Sequence, residues 1–250
     1  PPRVQTPELV LPGLVAGAST IVTHSTLARL ELALPKHFRG YNWYLLYSTY
    51  RDGANWIQFY NRVKDELPTY LIVENMEGEV FGGFAASAWA STSKYYGTGE
   101  SFLFSATGTR SIPPKKTPTT TPPPPTTTST ATADGSNSAS STIRKARGPL
   151  TWSEVTTYGW AGMNTYFQYS DDFGIGMGGG GGNFGLFVGE DLLAGTTGSC
   201  ETFDNPPLCS KEAFDVSQVE VWGFTTASTE VGARMERLRK TLRGRTTRPL

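Results

Sequence analysis

The strongest periodic pattern in the chain is an apolar stripe at helical spacing. Trp56, Phe59, Tyr60, Val63 and Leu67 recur at intervals of three and four residues. Side chains at this spacing lie on one face of an α-helix. The pattern therefore predicts an amphipathic helix across this segment, with its apolar face turned toward a core.

Two further segments have helical signals. Ser25 and Thr26 offer an N-cap before leucines at helical spacing, and Pro35 ends the run. Near the C-terminus, a helix is predicted over residues 229–243, with Gly244 as its C-cap. This last helix has a narrow apolar stripe, and its arginines lie outside that stripe: Val231, Met235, Leu238 and Leu242.

The remaining apolar residues form short runs rich in aromatic and branched side chains, which indicate strands. Glu77 and Gly78 lie between two such runs and predict a hairpin turn. Aromatic residues make up 12% of the chain, which favours a mainly β fold with an aromatic core. Strands are predicted at residues 41–47, 71–73, 80–84, 101–105, 166–170, 173–177, 184–188 and 216–224.

The chain divides into segments of different composition. Residues 1–23 are proline-rich and predict an irregular leader. Residues 111–147 are rich in Pro, Thr and Ser, and this composition predicts a disordered insertion, because such a segment buries too little apolar surface to order itself. Strands are predicted on both sides of the insertion, so it interrupts one domain over residues 24–224. The insertion could also act as a scaffold for partners.

Charge is distributed unevenly, although the formal net charge is zero. An acidic body carries a basic loop, where residues 110–147 have six basic residues and one acidic residue, and a basic helix and tail over residues 225–250. This asymmetry is consistent with attraction of the tail to the body, or with docking on an acidic partner or membrane surface. From residue 234 onward a single acid, Glu236, faces seven bases: Arg234, Arg237, Arg239, Lys240, Arg243, Arg245 and Arg248.

Five consecutive glycines, Gly178–Gly182, resemble a phosphate-binding loop at first sight. Such loops require a lysine and a hydroxyl residue, or a helix that follows directly. Here no lysine lies nearby, and the residues from Phe184 to Val188 predict a strand. The run therefore predicts a tight corner in a β core, because glycine permits positive φ.

Candidate catalytic groups are few. Glu100 and Glu201 could form an acid/base pair if they met, although each is more typical of a carboxylate capping a turn. Cys200 could be a redox-active thiol if its pKa were lowered, although a small buried side chain is the simpler interpretation. His24 and His37 are remote in sequence from the glycines and cysteines. No metal-binding or cofactor motif is present in the sequence.

Compartment signals are also few. The two cysteines have neither disulfide-framework nor metal-ligand spacing, so a reducing compartment is the default. No run of 18 or more apolar residues occurs, and the N-terminus lacks the pattern of a signal peptide.

Seven blocks occur in the order of a known family: residues 40–49, 80–85, 95–104, 164–168, 178–186, 200–208 and 219–224. Together they resemble the TLDc domain of the eukaryotic oxidation-resistance proteins. The insertion departs from the short connection usual in that family. The positions that carry the resemblance are Trp43, Gly82, Gly83, Gly97, Gly99, Glu100, Gly180, Asn183, Phe184, Gly185, Thr202, Phe203, Asn205, Trp222 and Gly223.

The resemblance implies a two-sheet antiparallel β-sandwich flanked by a few helices, with a C-terminal helix. It also implies a non-enzymatic regulatory module that protects against oxidative stress and needs no cofactor. Family members bind the V1 sector of the vacuolar proton-ATPase and regulate its assembly or activity. Some of them use a helix after the domain, which makes Arg234, Met235, Leu238, Arg239 and Leu242 the candidate contacts here.

The alternative function is a peroxide-reactive or hydrolytic enzyme that uses Cys200, or Glu100 with Glu201. For the regulatory function we expect a cytoplasmic, monomeric protein without a nucleic-acid partner. Its ATPase partner would bring it to vacuolar or lysosomal membranes, and the family also includes mitochondrial and nuclear locations.

Overall fold

A computed structural model of the protein describes residues 12–16, 19–110 and 150–246. The predicted insertion lies outside these residues. The α-helices of the described residues are α1 (His24–Ala33), α2 (Thr49–Asp52), α3 (Trp56–Val63) and α4 (Glu230–Thr246), and a 3-10 helix spans Lys36–Phe38. The strands are β1 (Leu14–Ala16), β2 (Asn42–Ser48), β3 (Thr69–Asn75), β4 (Val80–Ala85), β5 (Thr92–Tyr96), β6 (Phe102–Arg110), β7 (Leu150–Tyr158), β8 (Gln168–Asp171), β9 (Gly174–Met177), β10 (Leu186–Gly189), β11 (Ala194–Thr196) and β12 (Ala213–Thr225).

The strands form two sheets that share β12. Sheet A has the order β1-β2-β12-β3-β4-β6-β7, and sheet B has the order β5-β8-β9-β10-β11-β12. Residues 213–215 of β12 pair with β11, and from Val216 onward the strand pairs with β3. Neighbouring strands are antiparallel except β1 and β2, which are parallel. The predicted mainly β, antiparallel two-sheet fold is confirmed.

Two apolar clusters lie on the two faces of sheet A. The first lies between the sheets, where Leu71 and Phe81 of sheet A join Met177 and Leu186 of sheet B. The second lies on the outer face of sheet A and includes leucines of α1. In β12 alternate side chains enter the two clusters, because successive side chains of a strand point to opposite faces: Val219 and Val221 join the first, and Trp222 and Phe224 join the second.

The described part of residues 1–23 differs from the predicted irregular leader. Strand β1 pairs with β2, and Ile21 and Val22 are buried. Ser19 and Thr20 donate hydrogen bonds to the buried carboxylate of Glu220. This segment therefore covers the outer core, which local sequence does not indicate because its partners lie about 200 residues away.

Helix boundaries also differ from the predictions. The predicted apolar stripe lies on α3, but the helix ends at Val63 rather than Leu67. Leu67 precedes a proline, which disfavours helical backbone, and it is exposed. Helix α1 begins after Thr23, which forms a capping box with Thr26. Helix α4 continues through Gly244 to Thr246, so Gly244 is not its C-cap.

The hairpin turn at Glu77 and Gly78 is confirmed, with Gly78 at φ +85°. Strands β1, β5, β7 and β11 were not predicted. Three of them, β1, β5 and β7, are edge strands, and the polar sequences of β5 and β7 have little apolar alternation. Among the described residues, no helix combines the length and the apolar character needed to cross a membrane.

Candidate functional site

The five-glycine run connects β9 to β10, and these two strands pair antiparallel. Gly178, Gly180, Gly181 and Gly182 have positive φ between +68° and +99°, a region that glycine enters without steric cost. A strand, not a helix, follows the run. The predicted structural corner is confirmed, and the helix that a phosphate loop requires is not there.

Cys200 lies directly under this corner. Its side chain is buried, and its Sγ donates to Asn205 Oδ1 at 3.0 Å. A Cβ at Gly178 would stand 2.6 Å from this sulfur, and one at Gly185 would stand 3.1 Å from it. The two glycines therefore make room for the thiol. Burial raises the pKa of the Cys200 thiol above its ordinary value, which keeps it protonated and weakens it as a nucleophile.

Thr202 and Asn205 hold the following loop against the glycines. The Thr202 hydroxyl accepts a hydrogen bond from Gly179 N at 2.9 Å and donates to Asn164 Oδ1 at 2.7 Å. The Asn205 amide donates to Gly198 O at 3.0 Å. Each of these polar side chains is buried and bonded to backbone. These signature positions thus stabilise the corner and have no free reactive group.

Burial of Cys200 gives a direct prediction. We expect alkylation of Cys200 in the native protein to be roughly a hundredfold slower than in the denaturant-unfolded chain, because modification requires local opening. Mass spectrometry of iodoacetamide-treated protein over time measures this ratio. Cys209, which is less buried, is the internal control. Rapid native labelling of Cys200 would restore the peroxide-reactive alternative.

The two candidate carboxylates have separate partners. Glu100 Oε1 lies 3.3 Å from His37 Nε2, and both side chains are about half exposed. Glu201 Oε2 lies 3.5 Å from Asn164 Nδ2 at the glycine corner. Within the described residues, no hydrogen bond or ion pair joins Glu100 to Glu201. The sequence did not indicate the contact with His37, because the histidines were placed only as remote from the glycines and cysteines.

The other signature positions lie in the sheets and in one turn. Trp43 and Trp222 pack together in the outer core, with ring centroids 6.4 Å apart. Gly97, Gly99 and Glu100 lie in and around the turn between β5 and β6. The rest belong to strands or to the corner: Gly82 and Gly83 in β4, Gly223 in β12, and Asn183, Phe184 and Phe203 around the glycines.

Helix α4 is fixed to the sandwich by one face. Ala233 is fully buried, and Glu236 Oε2 accepts from Thr225 Oγ1 at 2.7 Å. Arg237 Nε lies 2.5 Å from Glu66 Oε1, and its guanidinium lies 5.3 Å from the centre of the Tyr44 ring. These contacts combine a charge pair with a cation–π contact. The helix is therefore held in a defined orientation.

The opposite face of α4 is exposed. Val231, Met235 and Leu238 are 73%, 46% and 53% exposed, and Leu242 continues the line at 56%. At about 100° per residue, this stripe lies opposite Ala233. Arg234 and Arg239 are exposed and flank the stripe on its two sides. The five candidate contacts thus form one continuous solvent-facing surface, which we call the α4 surface.

The sequence showed the stripe but not its direction. An apolar stripe on a helix usually packs against the core, whereas here Glu236 and Arg237 attach the helix and the apolar residues point outward. The partners of these two residues come from β12 and from the segment after α3. Such contacts are not visible in local sequence.

Comparison with known proteins agrees with this architecture. The family model described as "TLDc domain" matches residues 15–123 and 150–225. Similar curated proteins include nuclear receptor coactivator 7 of Homo sapiens, 29% identical over 87% of this chain and 18% of the relative. They also include oxidation resistance protein 1 of Rattus norvegicus, 27% identical over 87% of this chain and 21% of the relative.

The chain thus spans about a fifth of the length of these relatives. Their names describe a coactivator and an oxidation-resistance protein, not enzymes. The family model covers most of the chain, including the first part of the insertion up to residue 123. The match extends over both sheets of the sandwich, from β1 to the end of β12. The chain therefore belongs to the TLDc domain family.

Proposed function

We propose that this chain is a non-enzymatic interaction module that contributes to protection against oxidative stress by docking on the V1 sector of the vacuolar proton-ATPase. The α4 surface is the observation that carries the proposal. The name of the oxidation-resistance relative supports the physiological role, and the resemblance described above supports V1 as the partner. Docking would place the protein in the cytoplasm at vacuolar or lysosomal membranes.

Apolar side chains exposed to water cost free energy, and a partner that covers them removes that cost. A helix fixed on one side and apolar on the other has its binding conformation already formed, so little conformational entropy is lost on docking. Helices of this kind bind in grooves through residues at spacings of three and four. Val231, Met235 and Leu238 have this spacing and are exposed. Arg234 and Arg239 would pair with acidic residues at the edge of such a groove.

We expect the double substitution Met235→Glu and Leu238→Glu to reduce capture of purified V1 by roughly tenfold or more, because it places two charges in an apolar contact. Both side chains are exposed, so the fold is expected to persist. Capture of V1 on immobilised protein, quantified against V1 concentration, gives the two affinities.

The matched control is Ile57→Glu with Met76→Glu, which places two glutamates at exposed apolar positions outside α4. This control should bind V1 like the native chain. Failure of the native chain to bind V1 would overturn the docking proposal. Equal binding by the α4 variant and the native chain would remove α4 from the interface.

A further inference from the structure

A second surface lies at the other end of β12 from α4. It is a groove of about 520 Å³ between the hairpin turn after β3, the β10–β11 hairpin and the start of β12. Small residues and two aromatic rings form its apolar floor: Gly189, Ala194, Gly195, Ala213, Phe187 and Phe214. Small side chains on adjacent strands leave a depression where larger ones would fill the space. We call this the acidic groove, because carboxylates lie along its edges.

The edges of the groove carry four carboxylates, those of Glu77, Glu190, Asp191 and Asp215. One ammonium group, Lys211, also lines it and forms an ion pair with Glu77. The surrounding sequence does not offset this charge, since residues 150–233 contain eleven acidic residues and one basic residue. The groove therefore has a negative potential that favours a cationic occupant.

An aromatic ring stands at the groove as well. Phe173 lines it with 72% of its surface exposed, and its backbone carbonyl accepts from Glu190 N at 2.9 Å. An exposed ring beside carboxylates suits a guanidinium, which stacks on aromatic faces while it donates to carboxylates. A bound metal ion fits less well, because no group of acids, histidines and cysteines in the described residues converges closely enough to hold one.

We propose that the acidic groove binds an extended, arginine- or lysine-bearing segment of a partner protein. The apolar floor would take the stems of the basic side chains, while the carboxylates at the edges pair with their charged ends. The volume suits a few residues of peptide. This site is separate from the α4 surface and does not depend on V1 docking.

The basic helix of the same chain is attached at the far end of β12. The strand has 13 residues and at about 3.3 Å per residue spans about 40 Å. The groove is formed at Ala213, where β12 begins, whereas Glu236 of α4 is bonded to Thr225, where β12 ends. Among the described residues, the acidic groove and the basic helix thus lie at opposite ends of β12, so α4 does not occupy the groove.

The test measures binding of a fluorescein-labelled peptide of alternating arginine and glycine to the full chain by fluorescence anisotropy, at about 0.15 M salt to suppress nonspecific attraction. We expect Glu190→Gln with Asp215→Asn to weaken binding about tenfold, which corresponds to about 1.4 kcal/mol. Phe173→Ala should weaken it about threefold by itself. All three side chains are exposed, so the fold should be retained.

The matched control is Glu154→Gln with Asp204→Asn, which removes the same charge at exposed positions outside the groove. Binding by the control should stay within about twofold of the native value. Equal weakening by both double variants, or no binding by the native chain, would overturn the proposal. If the native chain self-associates and the groove variant does not, the groove binds a second copy of this chain, and the proposal of a separate partner protein is overturned. V1 capture by the groove variant should be unchanged.

Discussion

Replacing Gly82 with alanine is expected to destabilise the protein by roughly 4 kcal/mol or more, or to prevent folding. Gly82 lies in β4, between β3 and β6. A Cβ at this position would stand 2.0 Å from the backbone oxygen of Leu71 and 3.0 Å from the Phe104 ring. The nearest atom is backbone, so relief requires shifting a strand that pairs on both sides. Denaturant unfolding, or the soluble yield where the variant does not fold, measures the effect.

Gly159→Ala is the matched control, because no atom lies within 4 Å of its Cβ position. This substitution should change the unfolding free energy by no more than about 0.5 kcal/mol. A Gly82→Ala protein within about 1 kcal/mol of the native stability would show that β3 and β4 can separate locally without loss of the fold.

Glu220→Ala is expected to lower the unfolding free energy by roughly 3–5 kcal/mol. The carboxylate is fully buried and accepts hydrogen bonds from four groups. Each of them loses this acceptor in the variant, and the segment at Ser19 loses two of its hydrogen bonds to β12. The donors are Ser19 Oγ at 2.7 Å, Thr20 N at 3.3 Å, Gln218 Nε2 at 2.8 Å and Trp222 Nε1 at 3.0 Å. Thermal and denaturant unfolding measure the loss.

Glu154→Ala makes the same chemical change at an exposed position and should alter stability by less than about 0.5 kcal/mol. Glu220→Gln should give an intermediate loss, because either orientation of the amide sets an NH₂ group against Thr20 N or Trp222 Nε1, which can only donate. A native-like melting temperature for Glu220→Ala would contradict this account and show that water replaces the carboxylate at little cost.

The same carboxylate gives stability a pH dependence. Burial raises the pKa of Glu220 above its ordinary value of 4.5, so the native protein holds this proton more tightly than the unfolded chain. The contribution of Glu220 to stability is therefore fully present below about pH 4.5 and declines as pH rises through the raised pKa. The stability difference between the native protein and Glu220→Ala should accordingly narrow as pH increases, because the variant lacks this titration.

Several elements could be predicted because their signals are local. The stripe from Trp56 to Val63 has a helical period. The buried strands β2, β3 and β4 are mostly apolar, and the second half of β12 is rich in branched and aromatic residues. The glycines themselves predicted the turn at Gly78 and the corner that begins at Gly178, and both positions have positive φ in the structure. In each case a short-range pattern is sufficient, because periodicity and backbone freedom belong to adjacent residues.

Other features depended on residues distant in sequence. Strand β1 pairs with β2, and the segment at Ser19 is bonded to Glu220. Because these partners are distant in sequence, the composition of the segment alone predicted an irregular leader. His37 reaches Glu100 only because the chain folds back over sheet A. The acidic groove collects side chains from four separate segments. None of these contacts produces a periodic pattern in the sequence, because such a pattern arises only among residues of the same helix or strand.

The sequence by itself determined the family, the mainly β architecture and the stripe on α4. The tertiary structure decided that the stripe faces solvent, that Cys200 is a buried thiol under the glycine corner, and that a negative groove and a basic helix occupy opposite ends of β12. The physical reason is that periodicity records which side chains share a face. Which face is buried depends on what the rest of the chain packs against it.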